Sequence, residues 1–147
     1  MLQTSGKLIS AKPGVILLVV LLALTSACSL TKGKATAEAA VVKFHEQFNA
    51  GKYQEIYAEA DEGFKSSVSE DQWVTLLETV QRKLGSVKES HSTSWGVNTT
   101  TAGTMATLGY DIDFSEGKGS EKFVFHITGD KALLYHYNVN SPLLITK

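Results

Sequence analysis

Ser69-Glu70-Asp71-Gln72-Trp73-Val74-Thr75-Leu76-Leu77-Glu78-Thr79-Val80-Gln81-Arg82-Lys83-Leu84-Gly85-Ser86-Val87 contains the point at which the hydrophobic period of the chain changes. Trp73, Leu76, Leu77, Val80 and Leu84 share one helical face. Ser69 with Gln72 three residues on has the form of a capping box. Glu70 and Asp71 suit the positive end of a helix dipole, and Gly85 stands where a helix stops. Beyond Gly85 the period becomes two. Val87, His91, Thr93, Trp95 and Val97 are expected on one side of a first strand, and Asn98 to Gly103 as a Thr-rich turn. Ala106, Leu108, Tyr110, Ile112 and Phe114 line one face of a second strand. Ser115 to Ser120 reads as a hairpin loop, and Phe123, Phe125 and Ile127 alternate in a third strand. Gly129-Asp130 is a tight turn before a fourth strand from Ala132 to Val139.

Upstream of Ser69 the period is helical. Ala37, Ala40, Val41, Phe44 and Phe48 form one stripe, closed by Gly51, and Tyr53, Ile56, Tyr57 and Ala60 form a second. Asp61-Glu62-Gly63 reads as a break. Three helices are therefore expected over 37–50, 53–60 and 69–84, followed by four antiparallel strands. The fold class is α+β, with the helices against one face of a four-stranded antiparallel sheet.

The chain has 147 residues and a formal net charge of −1, which fits one domain and gives no basic face for nucleic acid. One cysteine excludes an internal disulfide. That cysteine has a telling position. Lys7 and Lys12 precede the apolar run 15–24, too short for a membrane span and right for a signal core. Small residues Thr25-Ser26-Ala27 follow, and then Cys28. Leu24-Thr25-Ser26-Ala27-Cys28 resembles a bacterial lipobox, with Thr25 where an aliphatic residue is commoner. The resemblance implies a signal peptide over 1–27, acylation of Cys28, and a lipoprotein held at the membrane by several chains. Ser29 after the cysteine, rather than Asp, implies the outer membrane facing the periplasm in a Gram-negative host. Residues 29–36 read as a small polar tether reaching about 28 Å if extended. The folded domain is expected over 37–147.

Phe48-Asn49-Ala50-Gly51-Lys52-Tyr53 resembles the turn between the first two helices of small secreted NTF2-like domains. Phe64-Lys65-Ser66-Ser67-Val68-Ser69-Glu70-Asp71-Gln72-Trp73 and Leu84-Gly85-Ser86-Val87 resemble motifs of the domain-of-unknown-function 4019 family or a near relative. Tyr137-Asn138-Val139-Asn140-Ser141 is similar to the closing strand of related lipoproteins. One departure is that Lys131-Ala132-Leu133-Leu134 lacks the Trp common there. The resemblance implies a cone-shaped sheet around the helices, often with a pocket at its open end. It implies no particular reaction.

The chemistry-bearing residues are scattered. His45 borders the first helical stripe, and His91 lies in a Ser-rich strand. Pairing around Gly129-Asp130 sets His126 opposite Leu133 and His136 opposite Phe123, so the two histidines are expected on opposite sheet faces. No HxH or HExxH spacing occurs, and no metal or cofactor is expected. Asp111 and Asp113 read as a solvent face opposite an apolar one, and Glu55, Glu59 and Glu62 as a solvated helix face. No nucleophile elbow or phosphate-cradling glycine pattern occurs, so no catalytic residue is named. Tyr110, Tyr135, His136 and Asn138 are the polar candidates for a pocket in the cone. The reading is a lipid-anchored periplasmic module that binds a small ligand or a protein without catalysis. The alternative is a small hydrolase or isomerase using a His/carboxylate pair inside the cone. A homodimer through the open sheet face is a third arrangement.

Overall fold

The computed structural model describes the backbone of residues 13–146 and the side chains of residues 31–146. Of the signal peptide expected over 1–27, residues 1–12 lie outside the described residues, as do the side chains of the remainder and of Cys28. Among the described residues, five helices and four strands follow in the order α1 (Pro13–Asn49), α2 (Tyr53–Ala58), α3 (Glu62–Ser67), α4 (Glu70–Leu84), β1 (Val87–Thr100), β2 (Gly103–Phe114), β3 (Lys118–Thr128), β4 (Lys131–Asn140) and α5 (Pro142–Ile145). The chain divides into two units after Thr31, and the core, the sheet and the groove all lie in the second, Lys32–Lys147. Among the described residues no helix is long and apolar enough to cross a membrane.

The α+β class holds, with three differences among the helices. Asp61-Glu62-Gly63 is the start of α3, not a break. Asp61 takes an extended backbone and its side chain accepts from Gly63 N, which caps the new helix. Its segment Glu62-Gly63-Phe64-Lys65-Ser66-Ser67 turns one large apolar residue, Phe64, to the core, so no periodic stripe shows. A short α5 after Ser141 was likewise unexpected, and its cap is the Ser141 side chain. Within the second unit, residues 32–36 of the expected tether are helical, as part of α1. Thr36 Oγ1 donates to Lys32 O at 2.9 Å, and Lys34 pairs with Glu38 one turn on. The third expected helix appears as α4, with both halves of the Ser69–Gln72 capping box present and Gly85 at φ 78° as its C-cap.

The sheet is antiparallel throughout, in the order β1-β2-β3-β4. Asn49 joins its start to the end of α1, accepting from Val87 N (2.8 Å) and donating to Val87 O (2.9 Å). The strands are longer than periodicity suggested, because Asn98 to Thr100 and Lys118 to Ser120 pair as well. Two further corrections come from β-bulges, each of which inverts side-chain parity. Lys88 and Thr93 are skipped in the β1–β2 register. His91 therefore sides with Asp111 on the outer face, while Trp95 and Val97 side with Leu108 and Ala106 on the core face. Tyr135 is skipped in the β3–β4 register, so His136 stands opposite Val124 rather than Phe123. His126 and His136 thus share the outer face instead of lying on opposite faces.

The core lies between the helices and the inner sheet face. Ala37, Val41, Phe44 and Phe48 bring α1 onto it, with Trp73, Leu77, Val80 and Leu84 from α4 and Leu108, Ile112, Phe123 and Phe125 from the sheet. Phe44 is the hinge of the packing, within 5.1 Å of Phe123, 5.0 Å of Tyr137 and 6.3 Å of Trp73 between ring centroids. Trp73 is 1% exposed and meets Phe64 and Tyr137 edge to face. Its indole nitrogen has no hydrogen-bond partner, so apolar packing alone carries the site. Trp73→Ala should cost ~3–5 kcal/mol in urea denaturation. A loss under ~1 kcal/mol would mean that the stripe of α4 is not core.

Candidate functional site

β3 carries an inward carboxylate. Its core-facing positions run Gly119, Glu121, Phe123 and Phe125, since these stand opposite Ile112, Tyr110, Leu108 and Ala106. Glu121 is 3% exposed. A carboxylate there needs donors, and two arrive from other elements. Tyr137 of β4 donates its hydroxyl to Oε1 at 2.6 Å, and His45 Nε2 of α1 lies 2.7 Å from Oε2. A carboxylate offers only acceptors, so the His45 nitrogen donates. His45 and Tyr137 are themselves buried. Burial first, and the neighbouring Glu121 charge second, push the Tyr137 hydroxyl well above its usual pKa. The triad is a sealed, satisfied network. Sequence reasoning passed over Glu121, although its parity with Phe123 and Phe125 was the available signal.

A second His–carboxylate pair lies at the β4 edge. Asp61 Oδ2 is 2.9 Å from His126 Nδ1, while Oδ1 accepts from Gly63 N at 2.8 Å. Asp61 N donates to Leu134 O at 2.9 Å. One residue therefore caps α3, holds His126 and ties the helix to the sheet edge.

Between α1, α2 and the β3–β4 turn lies an open groove of about 730 Å³. Ala39, Ala40, Phe44, Ile56, Phe125 and Leu134 form its apolar lining. On α1 the small alanines leave the space. Lys43 pairs with Glu59 at 2.6 Å, and Gln47 donates to the same carboxylate at 3.3 Å. The Lys43 ammonium holds the Glu59 carboxyl below its ordinary range. The sequence places Glu59 on a solvated acidic face with Glu55 and Glu62. Those two pair locally with Lys52 and Lys65, and only Glu59 reaches the groove.

The four pocket candidates are not gathered. Tyr110 is buried on the core face, Tyr135 is the exposed bulge residue, and His136 and Asn138 lie exposed on the outer face. The outer face of β1–β2 does gather charge. Glu89 stands opposite Asp113 and His91 opposite Asp111. One donor atom each from Glu89, His91 and Asp113 lies within 4.8 Å of the others.

Helices followed by a four-stranded antiparallel sheet define an α+β domain with a sealed polar triad and an open lateral groove. Residues 37–133 match the family described as "Protein of unknown function (DUF4019)", and the chain belongs to that family. No curated protein matches the chain.

The Tyr137 shift has a consequence for pH. Its folded-state pKa is raised above the unfolded value near 10. Between the two values the folded chain binds more protons than the unfolded one, so stability falls as pH rises. Below about pH 10 the contribution is intact. Tyr137→Phe should lose ~1–3 kcal/mol at neutral pH and then decline less steeply above pH 10 than the parent. Tyr53 and Tyr110, also raised by burial, supply the residual slope. Urea denaturation across alkaline pH reads this, and identical slopes would contradict it.

Proposed function

We propose that the chain is a lipid-anchored envelope protein whose folded unit binds a ligand or partner and performs no catalysis. The observation that carries this reading is the employment of both buried or half-buried His–carboxylate pairs. His45–Glu121 is buried, with side chains 10% and 2% exposed, and its carboxylate is already shared with Tyr137, which supports a structural use. Asp61–His126 is committed to capping α3 and fixing it at the sheet edge. A general acid or base must come within hydrogen-bond reach of the atom it serves. The open groove beside α1, apolar below and charged at Lys43–Glu59, suits binding instead.

The anchor belongs to the same proposal. Cys28 is the sole cysteine, directly after Thr25-Ser26-Ala27 and the apolar run 15–24. Acylation there gives the thiol a use, and two or more chains hold a domain stably on a bilayer. In a Gram-negative host the protein faces the periplasm from the outer membrane. The helices-first order and the meandering sheet are in keeping with an NTF2-like cone, which is part of the proposal.

Two experiments test the reading. Anilinonaphthalene sulfonate should fluoresce on the native chain and lose that signal in Ala39→Trp, which fills the groove from an exposed position. A signal unaffected by the substitution would contradict binding there. Cys28→Ser should yield protein without an acyl chain, against an acylated N-terminal cysteine in the parent by mass spectrometry. An unmodified Cys28 in the parent would overturn the anchor.

A further inference from the structure

The outer face of β1–β2 holds a group of side chains that neither the core nor the groove uses. Glu89 and His91 are two residues apart on β1, and Asp113 and Asp111 stand directly opposite them on β2. Both bulges of β1 shape this patch. The skip at Lys88 turns Glu89 outward, and the skip at Thr93 moves the outward positions beyond His91 to Ser94 and Gly96, which carry no charge. Directly opposed residues of an antiparallel pair have their Cβ atoms within about 5.5 Å, and long side chains reach across. The outcome is one imidazole nitrogen and two carboxylate oxygens within 4.8 Å of one another. Glu89 Oε2 lies 3.5 Å from His91 Nε2.

Charge makes the arrangement unusual. Like charges directly opposite one another destabilise a ladder, yet Glu89 opposes Asp113 and Asp111 lies beside them. The cation that offsets them is Lys118 of β3, which donates to Asp113 Oδ1 at 2.8 Å. Lys118 is 83% exposed in its side chain, so it can swing away at little cost. A shallow depression of about 550 Å³ adjoins, lined by His91, Asp111, Asp113, Lys118 and Ser120.

We propose that Glu89, His91 and Asp113 form a surface site for a divalent first-row transition ion of the zinc class. One imidazole and two carboxylates are a donor set for such an ion rather than for calcium, which takes six to eight oxygens. Three protein ligands leave the remaining positions to water, as in open sites. Asp111, beside His91, can receive a hydrogen bond from a bound water. Lys118 is the resident counter-charge, and metal entry displaces it from Asp113. The site is independent of the groove and of the acyl anchor.

The test uses the full chain, stripped with chelator, titrated with zinc chloride by calorimetry in excess magnesium. One equivalent should bind at micromolar concentrations. His91→Ala should weaken binding by about tenfold or more, the scale on which disturbing a ligand shell acts. Asp113→Asn should weaken it as well. Lys118→Met should tighten it, because the competing ammonium is gone, while Lys122→Met and His136→Ala should leave it unchanged. Cobalt(II) in place of zinc should give a visible spectrum that vanishes in His91→Ala. Binding insensitive to His91→Ala, displaced by magnesium, or seen only at millimolar zinc would overturn the proposal. So would equal tightening by Lys118→Met and Lys122→Met, since that reports general surface charge.

Discussion

Glu121 presents a carboxylate to the interior, and donors from two other elements must reach it for the fold to close. His45 of α1 and Tyr137 of β4 do so, at 2.7 Å and 2.6 Å. Leaving a buried polar group unpaired costs ~1–3 kcal/mol, and more when the group is charged. The triad therefore specifies which face of α1 meets the sheet and which residues of β4 point inward. Phe44, next in sequence to His45, then lands between Phe123, Tyr137 and Trp73. Polar specification and apolar packing act on the same turn of the same helix.

The groove follows from that placement. With Phe44 and His45 turned to the core, Lys43 and Ala39 are left exposed at the edge of α1. The β3–β4 turn rises beside them, and Glu59 at the end of α2 pairs with Lys43. The sealed pair and the open groove are thus two sides of one helix, and the chemistry divides accordingly. The acid–base groups stabilise the fold, and the accessible surface is apolar with a charged edge.

Much of this was legible in the sequence. The capping box at Ser69–Gln72, the stop at Gly85 and the alternation of β2 are local signals, and local signals survive in isolation. α3 escaped because Phe64 is its one large apolar residue, against three in the equally short α2, and because Asp61 serves a cap as readily as a turn. The bulges at Lys88, Thr93 and Tyr135 escaped for a different reason. A bulge is a property of two strands in register, and neither strand alone announces it. Those three skipped residues decide the faces of His91 and His136, and so the outer cluster was invisible to alternation alone. Glu121 was legible in principle, as a charge at an inward position of a strand that otherwise buries Phe123 and Phe125. Its partners were not, since His45 lies 76 residues away.

The central claim is that the His45–Glu121 pair is a sealed structural device rather than working chemistry. Reaction with diethyl pyrocarbonate, mapped by mass spectrometry, tests it most directly. His91 has a side chain 62% exposed and His136 is exposed, against 10% for the side chain of His45. In the native chain His91 and His136 should be modified while His45 stays protected until denaturant unfolds the domain. Modification of His45 at the rate of His91 under native conditions would contradict the account, because it would place an accessible imidazole beside a carboxylate.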